Sequence, residues 1–181
     1  MTILGIDQSL TNTGFCVLNE SRIVKIGSIS PDYNKNKWGR ISEIIDSIIQ
    51  VATKNGIDVM AREGFSYASQ GQAYQLGGLG YSIDLAILET FPSVKLLVVP
   101  PTILKKFVVG KGNAKKDEML LWTYKAFKLE FKNSDECEAF CLAKFAQDYL
   151  IWKENKNIFP KYRQEEFKIF QKYLKLEGLE K

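Results

Sequence analysis

The chain has 181 residues, of which 45% are hydrophobic, 25% charged and 12% aromatic, so it can build a core and is neither disordered nor fibrous. It has no run of about 18 apolar residues to span a membrane. It also has no histidine, which excludes Ser-His-Asp and Cys-His triads, His-ligated zinc and imidazole acid–base chemistry. The net charge of +4 is uneven: between Leu104 and Lys132 eight lysines stand against three acids, a cluster suited to a polyanionic partner.

In chain order, Ile3–Asp7 is a short apolar run ending in an acid. Gly14–Leu18 and the alternating Arg22–Ser30 follow it across an Asn19-Glu20-Ser21 turn, which predicts an antiparallel three-strand meander. After a polar loop, Ile41, Ile44, Ile45, Ile48, Ile49 and Ala52 form one helical stripe closed by Asn55-Gly56. Ile57–Arg62 reads as a fourth strand stopping at Glu63-Gly64, and Gln72–Phe91 as a helix despite its glycines. Val94–Val99 is a fifth strand ended by Pro100-Pro101. A basic loop is expected next, then helices over about Ala114–Leu129 and Asn133–Leu150. Phe167, Phe170, Tyr173 and Leu174 predict one more helix in the tail. This order is that of an α/β domain with a five-stranded mixed β-sheet flanked by α-helices. Residues 1–153 would form the domain and 154–181 a helical extension of it.

The informative acids are those in apolar settings. Asp7 and Glu63 each terminate an apolar strand; parallel pairing of those strands would bring both carboxylates to one C-terminal sheet edge, where α/β sheets bind ligands. Asn133 reads as an N-cap and Glu136 as its capping-box partner. Carried back one turn, the apolar stripe Ala139, Leu142, Ala143, Ala146 becomes Asp135 and Glu138, two acids on one face. They either cap the helix dipole in solvent or need a cation or protons to offset their repulsion. Four carboxylates from three elements could hold two divalent metals, with the lysine cluster on a phosphodiester substrate. Cys137 and Cys141, at i and i+4, read as buried thiols.

Several of these segments share a pattern. Gly5-Ile6-Asp7-Gln8-Ser9-Leu10-Thr11-Asn12-Thr13-Gly14 resembles the GIDxSxxxTG opening of RuvC-type Holliday-junction resolvases. Ala61-Arg62-Glu63-Gly64-Phe65 is similar to the strand-end Glu and aromatic of that family, and Gln75–Gly80 resembles its subunit-pairing helix. Lys105 to Lys116 resembles its K-x-x-V-x-G-x-G-x-A-x-K segment, and Asp135-Glu136-Cys137-Glu138-Ala139 the acids of its last catalytic helix. The resemblance, over about residues 1–150, implies a ribonuclease H-like fold and a Mg2+-dependent endonuclease, with Mn2+ able to substitute. It implies Asp7, Glu63, Asp135 and Glu138 as catalytic metal ligands, and Phe65, Tyr67, Lys105, Lys106, Lys111, Lys115 and Lys116 as DNA contacts. It further implies branched DNA as partner (four-way junctions, with flaps and forks) and a homodimer; no membrane and a cytoplasmic location are expected instead from the missing apolar span and from a strand-like start without a basic n-region and apolar h-region. Glu138 stands where the family usually carries Asp, and the extra lysines and the tail mark a divergent member, of the kind a bacteriophage encodes. The alternative is a branched-DNA binding protein on the same fold that is catalytically weak or inactive. The opening motif also occurs in the phosphate loop of actin-like ATPases and sugar kinases, but those need two such domains, more than 181 residues provide.

Overall fold

The computed structural model of the chain describes residues 1–64 and 73–180. Three strands open it: β1 (Thr2–Asp7), β2 (Thr13–Asn19) and β3 (Arg22–Ile29). They form the expected meander, with Asp7 opposite Gly14 and Thr13 opposite Ile29. Helix α1 (Lys37–Asn55) leads to β4 (Val59–Glu63), α2 (Ala73–Thr90) to β5 (Lys95–Val99), and then come α3 (Pro101–Val109), α4 (Lys116–Phe127), α5 (Ser134–Glu154) and α6 (Lys161–Leu176). The sheet order is β3-β2-β1-β4-β5, with β1, β4 and β5 parallel.

Alternation along the central strands decides which helices cover which face. Leu4, Ile6, Val17 and Met60 meet the α1 stripe (Ile44, Ile48, Val51, Ala52) together with Leu79, Ile83 and Ile87 of α2. Ile3, Cys16, Val59, Ala61 and Leu97 meet α5, with α3, α4 and α6 packed behind it. Helix α5 is therefore covered on both sides, and it is buried nearly all round rather than along one stripe. Cys137 and Cys141 are free thiols inside it, as their spacing predicts.

Two local expectations change. The segment after Pro100-Pro101 is a helix, not a basic loop. Pro101 occupies the first helical position, where its missing N–H costs nothing, and Leu104 and Phe107 bury one turn apart before Gly110 (φ 89°) ends the helix. The capping box at α5 is incomplete. Asn133 accepts from the Glu136 N–H (2.9 Å), but Glu136 reaches back to the Lys132 N–H (3.1 Å) instead of to Asn133.

Candidate active site

Asp7 ends β1 and Glu63 ends β4, each one residue past the Ile6–Arg62 pair of the parallel ladder, so both lie at the same C-terminal edge. Helix α5 reaches that edge because two glycines let it lie directly on the sheet. A Cβ on Gly5 would sit 2.1 Å from the Ala139 carbonyl oxygen, and one on Gly14 would sit 2.2 Å from that of Asp135. Any larger residue would lift α5 away. The Gly5 and Gly14 of the opening motif are thus what seats the first turns of α5 beside Asp7. The hydroxyls of the same motif fold its loop: Thr13 Oγ1 donates to the Ser9 carbonyl (2.6 Å) and Ser9 Oγ accepts from the Thr11 N–H (3.2 Å).

The structure brings three of the four expected acids together. Carboxylate oxygens of Asp7, Glu63 and Glu138 lie within 4.8 Å of one another. Glu138 is buried, and its Oε1 has no hydrogen-bond partner. Asp135 stands beside the group, its carboxylate accepting from Asn12 Nδ2 (2.5 Å) and Lys116 Nζ (3.2 Å). Lys116 Nζ is also 3.9 Å from Glu138. Electrostatics follow this placement. Burial, with Glu138 and Glu63 adding repulsion, pushes the Asp7 carboxyl well above the usual range. Burial and Glu138 push Glu63 up to about 7. Burial also raises Glu138, against the pull of Lys116 and Lys105. Burial of Asp135 is outweighed by its bonds from Asn12 and Lys116, which hold its carboxyl below the usual range.

The donor set fits a hard divalent cation. Three hard oxygen donors converge, one of them has no hydrogen-bond partner, and burial raises the proton affinity of Asp7 and Glu63, which a bound cation would lower again.

The lysines divide by role. Lys105 on α3 and Lys116 at the start of α4 act on the acids, both favouring ionised Glu63 and Glu138. Lys111 is paired with Glu118 (2.5 Å), while Lys106 and Lys115 are exposed. Phe65 and Tyr67 lie outside the described residues.

Sequence reasoning missed Asn12 and a buried ion pair. Arg62 is 1% exposed and its guanidinium meets Asp84 of α2 in a two-pronged pair (2.6 and 2.5 Å), while Nη1 donates to the Glu63 carbonyl (2.9 Å). Gly80 makes room for it: a Cβ there would come within 3.0 Å of Arg62 Nη1. A lone Arg in an apolar strand and a lone Asp in an apolar helix were the available signal.

The sequence profile of the family described as crossover junction endodeoxyribonuclease RuvC matches residues 3–144. The chain belongs to the RuvC family. By family it is an endodeoxyribonuclease, and the kinase-like reading of the opening motif falls away. The Hydrogenovibrio crunogenus crossover junction endodeoxyribonuclease RuvC is 29% identical over 155 residues, covering 82% of this chain and 88% of the relative. The RuvC of Ehrlichia ruminantium (strain Gardel) is 27% identical over 131 residues, 66% of this chain and 78% of the relative. Among solved structures, Thermus thermophilus RuvC superimposes with a TM-score of 0.69 at 20% identity, over 85% of this chain and 96% of that one. T. thermophilus RuvC in complex with Holliday junction substrate gives 0.67 at 22% identity, over 79% and 90%. The RuvC architecture is thus shared, a five-stranded mixed sheet between helical layers.

Proposed function

We propose that this chain nicks Holliday junctions and related branched DNA, with Mg2+ as cofactor and Mn2+ able to replace it. The observation that carries the reading is the convergence of Asp7, Glu63 and Glu138 at a sheet edge flanked by Lys105 and Lys116. Asp7, Glu63 and Glu138 would hold the cation, and Asp135, now held by Asn12 and Lys116, would complete the set as the fourth acid. Bound divalent cations supply positive charge that acidifies a water and neutralises the departing 3′-oxygen. The protein's part is positional. Asn12 fixes the Asp135 carboxylate beside the other three acids. Lys105, Lys106, Lys111, Lys115 and Lys116 bind phosphates along the approach, and Phe65 and Tyr67 wedge against bases at the crossover. The product is a nick with 5′-phosphate and 3′-hydroxyl ends.

A homodimer matches the two-fold character of a junction. The face for it is α2, where Gly78, Tyr81, Leu85 and Leu88 recur at 3- and 4-residue spacing and are exposed, and where a Cβ on Gly78 would meet nothing. We also read residues 1–153 as the nuclease domain and 154–181 as its extension, supported by the packing of α6 into the same core as α5. No helix among the described residues is long and apolar enough to cross a membrane.

The test is cleavage of labelled four-way junction, flap and linear duplex, with Mg2+ or EDTA, by wild type and Asp7→Asn. Paired nicks on the junction, absent in EDTA and in the variant while junction binding persists, are the expected result. Tight junction binding with no cut under any condition would favour the inactive binding protein instead.

A further inference from the structure

A second surface, which the proposed chemistry does not use, follows directly in the chain from a strand end tied to the acids. Strand β3 ends at Ile29, opposite Thr13, so its end reaches the same sheet edge as Asp7. The link is direct: Ser30 Oγ donates to Asn12 Oδ1 (2.7 Å), and the Asn12 amide donates to Asp135. From this point the chain runs through residues 31–36 into α1, and it presents aromatic rings to solvent. Tyr33 is 70% exposed and Trp38 72%. Lys37 Nζ lies 4.8 Å from the Trp38 ring centre and 5.9 Å from that of Tyr74 at the start of α2, and the Arg40 guanidinium lies 5.9 Å from that of Tyr33.

Tryptophan is a residue that folding normally hides, and α1 has its core stripe elsewhere, at Ile44, Ile48, Val51 and Ala52. Trp38 therefore stands outside the core, largely exposed to solvent. Cations paired with exposed flat rings suit one class of ligand, an unpaired nucleotide. The base stacks on the ring, and the phosphate takes the neighbouring cation. A paired duplex offers no free base face, so such a surface separates open branches from intact helix.

We propose that Trp38 and Tyr33, with Lys37 and Arg40, form a stacking platform for unpaired nucleotides at the branch of the DNA substrate. The inference rests on the branched-DNA reading above and narrows its substrate to branches carrying unstacked bases.

The test is binding in EDTA, where no strand is cut, to three labelled DNAs: a fully paired duplex, a fully paired four-way junction, and a flap with several unpaired thymidines at the branch. Wild type, Trp38→Ala and Trp38→Phe are compared. Trp38→Ala should weaken flap binding about tenfold or more while leaving the duplex within about twofold, and Trp38→Phe should recover most of the loss. Oligothymidylate should also quench the tryptophan emission of wild type more than that of Trp38→Phe. Equal losses on all three DNAs, or no loss on the flap, would overturn the platform while leaving the nuclease reading intact. A wild type that binds no branched DNA would overturn both.

Discussion

Three carboxylates converge where Asp7, Glu63 and Glu138 meet, and without a cation their mutual repulsion is relieved by protons. The sign of the resulting pH dependence is fixed. Glu63 keeps its proton up to about 7 in the folded chain but releases it near 4.5 when unfolded. In that window the unfolded chain binds fewer protons, so the stability this group contributes is full below pH 4.5 and lost as pH rises through about 7. In EDTA the melting temperature of wild type, taken relative to Glu63→Gln, should therefore fall across that window. Mn2+ at pH 7.5 should raise the melting temperature of wild type and do little for the variant. A relative profile that rises with pH would contradict this assignment. Asp7 and Glu63 were legible in the sequence because an acid closing an apolar strand is out of place, and Glu138 because it continues the apolar stripe of α5. The distinct setting of Asp135 was not legible, because its partners Asn12 and Lys116 come from remote positions that helical periodicity does not register.

At the level of elements, the site exists because α5 lies against β1 and β2 with no side chain between them at Gly5 and Gly14. A methyl at Gly5 would strike the helix backbone, which cannot yield as a flexible side chain would. Gly5→Ala should cost about 3 kcal/mol and lower the melting temperature by roughly 10 °C, as overpacking a core does. It should also abolish cleavage by moving Glu138 off the edge; an unchanged melting temperature would show that α5 seats without this contact. The strands were readable from short apolar runs and, for β3, from alternation, and α1 from a stripe closed by Gly56, whose φ of 59° suits glycine at a helix end. Helix α3 was hidden because Pro100-Pro101 reads as a stop, whereas a proline at the first helical position is equally a start. The Arg62–Asp84 pair joins β4 to α2 across the sheet, and only the tertiary structure reveals that the two charges meet.

For the whole molecule, the notable addition is α6, which begins beyond residue 144, where the family match ends. It buries Phe167, Phe170 and Leu174, and Phe170 meets Phe145 and Tyr149 of α5 with ring centres 4.9 Å apart. Arg163 lies 4.0 Å above the ring of Phe107 on α3, the helix that carries Lys105. The C-terminal end is fastened too, with Tyr149 donating to Glu180 (2.7 Å). Deleting residues 161–181 should cost about 5 kcal/mol for the three buried side chains alone, roughly 10–20 °C in melting temperature. Junction binding should weaken as α3 loosens. A truncated chain that melts within about 3 °C of the full one would show that α6 is only appended. The spacing of its aromatics predicted the helix, but not that it would brace α3.

The most direct test of the central claim, that Asp7, Glu63 and Glu138 form a divalent cation site, is calorimetric titration of Mn2+ at pH 6.5, below the value of about 7 to which Glu63 is pushed, in two buffers of different ionisation enthalpy. Wild type should bind and release protons, since carboxyls held protonated by burial must ionise to ligate; Asp7→Asn and Glu138→Gln should lose most of the affinity. Binding that is undiminished in both variants, or no binding by wild type, would contradict it.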